Sequence, residues 1–84
     1  MTKGELKKVI IEGISNKKTQ YGDYIEIDYL KISKLNKETK CIGQIIIGFE
    51  YIDYGYNVVS CIKDLVDEVL EELGYDYYGL FLDM

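Results

Sequence analysis

One stretch in the middle of the chain, residues 41–53 (CIGQIIIGFEYID), restricts the fold more than any other. It holds the densest apolar run, residues 45–47, and its β-branched and aromatic side chains suit a pleated surface better than a helix. Alternate residues of a strand point to opposite faces. One face would be apolar from Cys41 to Tyr51, and the other would be mixed. Because both faces carry apolar residues, this stretch is predicted to be the central strand of a sheet.

A second stretch is predicted to be an amphipathic helix of about sixteen residues, or roughly 24 Å. Asn57 is a suitable N-cap, and Gly74 stands where a left-handed residue commonly ends a helix. The apolar residues between them recur at the spacing of one helical face. These residues are Val58, Ile62, Leu65, Val66, Val69 and Leu73.

Two further strands are indicated by local patterns. Residues 23–35 alternate with Ile25, Ile27 and Tyr29 inward, then change phase at Leu30, which predicts a bulge. Residues 36–39 have the length of a hairpin connection, so this strand and the central strand should be antiparallel neighbours. Residues 77–82 also have strand composition.

The segment of residues 6–15 (LKKVIIEGIS) fits two structures. Its three consecutive β-branched residues favour a strand, whereas a capping box at Thr2 and Glu5 and a helical spacing of apolar residues favour a helix. We predict a single α+β domain over residues 1–84, a small antiparallel β-β-β-α-β sheet with one helix on a face. The alternative is α-β-β-α-β, if residues 3–14 are helical.

The composition argues against catalysis. The chain has no His and no Arg, so it lacks the usual general base near neutral pH and the bidentate fork for phosphate and guanine. Cys41 and Cys61 have no His partner and are expected to be free thiols in a cytoplasmic protein. We therefore expect no catalytic residues, no cofactor, no metal site and no direct nucleic-acid binding. No leader or long apolar run is present either, which predicts no membrane association.

Charge is divided unevenly along the chain. Residues 1–40 hold nine Lys and six acids (+3), and residues 41–84 hold one Lys and nine acids (−8), for a net charge of −5. Like charges four residues apart each cost a helix a few tenths of a kcal/mol. The acidic helix face is thus either a solvated surface or the contact for a basic partner protein. Its residues are Asp64, Asp67, Glu68, Glu71 and Glu72.

Tyrosine is the other unusual residue, with nine copies. Tyr54, Tyr56, Tyr75 and Tyr78 fall in two short clusters and are either partner-contact residues or packing at the rim of the sheet.

The leading hypothesis is a non-enzymatic acidic protein that blocks a partner's surface, such as a phage-encoded inhibitor. The alternative is an oligomer that binds a nucleotide-like ligand by tyrosine stacking.

Self-association is also predicted. One helix covers about 10 Å of a four-stranded sheet that is roughly 19 Å wide, so it cannot bury even one face completely. Ile42, Ile46 and Ile52 share the second face of the central strand. An apolar patch of this kind usually marks an interface, and a symmetric homodimer is the commonest way to cover it.

Overall fold

The part of the chain that the structure describes contains two helices and three strands in the order α-β-β-α-β. The computed structural model describes residues 1–17, 25–51 and 58–83. The elements are α1 (Lys3–Lys17), β1 (Ile25–Asn36), β2 (Cys41–Tyr51), α2 (Val58–Leu73) and β3 (Asp76–Asp83). The α+β class is confirmed, and the preferred order, β-β-β-α-β, is wrong.

The N-terminal segment is a helix and not a strand. The Thr2 hydroxyl accepts a hydrogen bond from the Glu5 amide at 3.1 Å and donates one to the Glu5 carboxylate. Leu6, Ile10 and Ile14 form one fully buried stripe. Each β-branched residue costs this helix only a few tenths of a kcal/mol, whereas the burial of each side chain in the stripe of Leu6, Ile10 and Ile14 contributes about 1.5–3 kcal/mol. Packing therefore outweighs the strand preference.

The sheet has three strands in the order β1-β2-β3. The predicted central strand is confirmed over Cys41–Tyr51, with residues 52 and 53 outside the described residues, and so is the antiparallel pairing of β1 with β2. The prediction of a purely antiparallel sheet is wrong, because β3 pairs parallel to β2. The helix between these strands returns the chain to the start of β2, so β3 runs in the same direction.

The bulge in β1 is confirmed, since the register with β2 shifts between Ile27 and Tyr29. Tyr29 itself was predicted to point inward, and this is wrong. Its ring crosses Gly48 on the other face, where a Cβ on Gly48 would lie 2.1 Å from Tyr29 Cε1. The Tyr29 hydroxyl donates to the Asp83 carboxylate, so this side chain links all three strands.

The predicted helix is confirmed as α2, with 16 residues. It ends as expected at Gly74, where φ is +76°. The Gly74 amide donates to the Glu71 carbonyl at 3.1 Å and the Tyr75 amide to the Leu70 carbonyl at 2.9 Å, which is the Schellman pattern. The predicted N-cap, Asn57, lies outside the described residues.

Both helices pack on the same face of the sheet. A Cβ on Gly13 of α1 would lie 3.0 Å from both methyl groups of Val69 on α2, so glycine permits the two helices to approach closely. Their apolar stripes join the sheet in one core, which contains no buried polar side chain among the described residues. No described element covers the opposite face, which is called the open face below.

Ile42 does not lie on the open face, because its side chain is fully buried in the core. Lys34 in β1 has a positive φ of 57°, and its side chain occupies the space above Gly43. Beside Lys34 and Gly43, two residues separate one core-facing residue from the next in each of the three strands, whereas a regular strand has one. Leu35, Ile42 and Tyr77 form one row that packs against the core. The next such row is Ile32, Ile45 and Leu80.

Candidate functional site: the acidic helix and the edge of the sheet

The five carboxylates predicted for the helix surface all lie on α2. Asp67 is half-buried and the other four are exposed. Two of the five are paired: Glu72 Oε1 lies 2.6 Å from Lys17 Nζ of α1, and Asp67 Oδ2 lies 3.1 Å from Lys63 Nζ. The hydrogen bond to Glu72 raises the pKa of Lys17 above its usual value.

The remaining three carboxylates form the acidic face of α2, which is defined here as Asp64, Glu68 and Glu71. None of the three has an ion-pair partner in the part of the chain that the structure describes. They stand at i, i+4 and i+7, so neighbouring Cβ atoms are about 5–6 Å apart along one side of the helix. Lys17, which pairs with Glu72, also lines a hollow with Glu68 and Glu71 and interacts with the Glu68 charge, so the negative charge of this surface is only partly neutralised.

Tyr77 of β3 is half-buried and packs against the core. Its hydroxyl also donates to Asp67 on α2. Burial, followed by the contact with the Asp67 carboxylate, raises the pKa of Tyr77 far above its ordinary value. The neutral phenol therefore holds the Asp67 side chain in place. No local pattern indicated this contact.

The predicted tyrosine contacts are only partly assembled. Tyr54 and Tyr56 lie outside the described residues. Tyr75 is half-buried and packs against the core. Tyr78 is 79% exposed, and its hydroxyl lies 3.7 Å from Cys41 Sγ. Among the described tyrosines of these clusters, only Tyr78 therefore has a largely exposed ring. One exposed ring does not favour a site that stacks a planar ligand between tyrosines.

A groove follows the flank where α2 meets β3, and it is called the α2–β3 groove below. One end is a hollow of about 490 Å³ lined by Val59, Lys63, Tyr77, Tyr78, Leu80 and Leu82. The other end is a hollow of about 210 Å³ lined by Asp67, Leu70, Glu71, Tyr75, Asp76 and Tyr77. Tyr77 lines both hollows, so they lie side by side along this flank. The groove therefore has an apolar end and an acidic end.

The open face contains one of the three isoleucines predicted for a dimer interface. Ile46 is half-buried there and is the cross-strand neighbour of Phe81, which is 53% exposed. Lys31 Nζ lies 5.3 Å from the centroid of the Tyr29 ring on the same face. Ile42 is in the core, and Ile52 lies outside the described residues.

Neither cysteine forms a disulfide; Cys41 is half-buried and Cys61 is buried. Residues 1–17, 25–51 and 58–83 contain no group of three or more side chains placed to hold a metal ion. Neither helix in these ranges has the length and apolar character needed to span a membrane. No protein-family model, no curated protein and no solved structure matches this chain.

Proposed function

We propose that this protein is a non-enzymatic binding protein that occupies a surface of a partner protein, with the acidic face of α2 as its contact. The observation that carries this proposal is the set of three exposed, unpaired carboxylates at Asp64, Glu68 and Glu71. Their mutual repulsion does not stabilise the helix. A surface rich in Lys or Arg would supply the missing countercharge.

Such a surface is typical of proteins that bind nucleic acid, because those proteins neutralise phosphates with Lys and Arg. Carboxylates spaced along one helix would compete with phosphates for the same cations. The protein would then act by blocking its partner, as a small inhibitor encoded by a phage or another mobile element does. Binding of this kind weakens as salt screens the charges, with a Debye length of about 10 Å at 0.1 M.

The test compares two variants with the same net charge. Asp64→Asn/Glu68→Gln removes charge from the acidic face, and Glu12→Gln/Glu26→Gln removes it from exposed positions elsewhere. Fluorescence anisotropy would measure the binding of a labelled Lys-rich peptide at low and high salt. The first variant should bind about tenfold more weakly, or about 1.4 kcal/mol, and the second should bind like the wild type.

Two results would contradict the proposal. Equal loss of affinity in both variants would mean that only total charge matters. Affinity that is unchanged between low and high salt would exclude the carboxylates as the contact.

We further propose that the protein is a two-fold homodimer that pairs its open faces. Both helices lie on the opposite side of the sheet, so neither described helix covers the half-buried Ile46 or the exposed Phe81. Apolar surface of this kind favours association with a second copy. The acidic face of α2 would then point outward on each subunit.

A further inference from the structure

The two edges of the sheet differ in how they resist pairing with another chain. Along β1, exposed charged side chains and the bulge near Tyr29 interrupt a regular edge. These side chains are Glu26, Asp28, Lys31 and Lys34. Along β3, residues 77–82 (YYGLFL) carry no charge and no Pro. Charges and bulges protect an edge strand, and an uncharged edge offers free backbone groups to a new strand. Although alternation is also interrupted at residues 78–79, β3 is therefore the less protected of the two edges in the described sheet.

The α2–β3 groove runs beside this edge and supplies contacts for side chains. Val59 on α2 is 51% exposed and shares the apolar hollow with Leu80 and Leu82 of β3. In strand addition, backbone hydrogen bonds hold the new strand while every second side chain enters pockets on one face. The apolar hollow is suitable for aliphatic side chains of such a strand.

The other end of the groove selects a different side chain. Asp67, Glu71 and Asp76 line the acidic hollow, and Tyr77 holds the Asp67 carboxylate in place. Asp67 is also ion-paired with Lys63. Glu71 and Asp76 have no ion-pair partner among the described residues. A Lys or Arg side chain entering this hollow would meet the unpaired Glu71 and Asp76 beside the paired Asp67.

Charge also decides between a partner segment and a second copy of this chain. A second β3 would bring Asp76 and Asp83 and no cation, and each chain carries a net charge of −5. Like charges placed opposite each other across a strand pair are destabilising. A foreign segment with Lys or Arg at one end and aliphatic residues at the other complements the groove along its whole length.

We propose that the α2–β3 groove binds an extended segment of a partner protein, which adds to β3 as a fourth strand. The aliphatic residues of this segment contact Val59, Leu80 and Leu82. Its basic residues contact Asp67, Glu71 and Asp76. This inference rests on the proposed protein-binding function and specifies the segment that is recognised. β3 has eight residues, so a strand that pairs along its full length has a similar length.

The probe is a synthetic peptide of alternating Val and Thr that ends in two Lys residues and matches β3 in length. Amide chemical shifts of the isotope-labelled protein should change along β3 and at the facing residues of α2, and amide exchange in β3 should slow. The same peptide with alternate amides N-methylated should lose binding, because its side chains are kept but its backbone donors are removed. A version that ends in two Glu residues should also fail to bind.

Protein variants test the two ends of the groove separately. Val59→Asp alters the apolar end, and Glu71→Gln/Asp76→Asn alters the acidic end; both use exposed residues, so the fold should persist. Each should weaken binding about tenfold or more, whereas the Glu12→Gln/Glu26→Gln control should not. Equal binding of the N-methylated peptide, or of the peptide that ends in Glu, would overturn the proposal.

The outcomes separate this inference from the proposed function. If the peptide changes the amide chemical shifts of only Asp64, Glu68 and their neighbours, the groove is not the site, while the acidic face still binds a basic partner. If the peptide shifts neither region, both proposals fail. If Val59→Asp changes the sedimentation of the protein alone from dimer to monomer, the occupant of the groove is a second copy and the proposal is wrong.

Discussion

Replacing Gly48 by Ala should destabilise the protein, although Ala is ordinarily the better residue inside a strand. The new Cβ would lie 2.1, 2.4 and 2.5 Å from three carbons of the Tyr29 ring, well inside van der Waals contact. Displacing a packed side chain in this way costs about 1–3 kcal/mol. Removing the conformational freedom of Gly offsets about 0.5–1 kcal/mol of that cost. The expected net loss in the free energy of unfolding is about 1 kcal/mol, and at most about 2.5 kcal/mol.

The same substitution should have the opposite sign when Tyr29 is absent. In a Tyr29→Ala background no ring lies over residue 48, so only the gain of about 0.5–1 kcal/mol remains. The double-mutant cycle should therefore give a coupling energy of about 1–3 kcal/mol between the two positions. This coupling measures how firmly Tyr29 lies across the strand to reach Asp83.

Urea unfolding followed by circular dichroism would measure all four proteins, because single domains of this size usually unfold in one cooperative step. Gly4→Ala is a matched control, since a Cβ at Gly4 would meet only Thr2 Oγ1, at 4.0 Å. It should stabilise helix α1 by up to about 1 kcal/mol. If Gly48→Ala destabilises the protein equally with and without the Tyr29 ring, the ring does not occupy the space above Gly48.

Two further predictions concern pH and assembly. The raised pKa of Tyr77 means that the unfolded chain releases this proton near pH 10 while the folded protein retains it, so the free energy of unfolding should fall as pH rises above about 10. Urea unfolding across this range should show a smaller fall for Tyr77→Phe, and an identical fall would contradict the assignment. Ile46→Lys should convert the proposed dimer to a monomer in sedimentation velocity, and a wild-type protein that sediments as a monomer at high concentration would refute the dimer.

Local patterns were sufficient to predict about half of the architecture. Helix α2 and its end at Gly74 followed from apolar spacing and a single glycine. The central strand, the hairpin into it and the bulge before Leu30 followed from alternation and its change of phase. All of these features depend on residues that are close in sequence.

The first helix is an intermediate case. Its cap at Thr2 and Glu5 was visible in the sequence, but so was a run of three β-branched residues. The local preferences were nearly balanced. The contacts of Ile10 and Ile14 with the second helix and the sheet decide the outcome, and those contacts exist only in the folded protein.

The candidate site was predicted in part. The acidic surface of α2 followed from the helical periodicity that also identified the helix. The α2–β3 groove was not predicted, because it depends on β3 being an edge strand of the sheet and parallel to β2. The pattern within residues 77–82 does not indicate which strand these residues will pair with.

By itself, the sequence determined which segments repeat with the period of a helix or a strand, where α2 ends and where negative charge collects. Only the tertiary structure decided that Ile42 faces the core, that Tyr29 crosses the sheet to Asp83 and that Tyr77 joins Asp67. The Tyr29 contact joins residues 54 positions apart, and the row that contains Ile42 depends on the backbone of Lys34 in another strand. Periodicity reports the shape of one segment, whereas the packing of several segments decides which face each residue occupies.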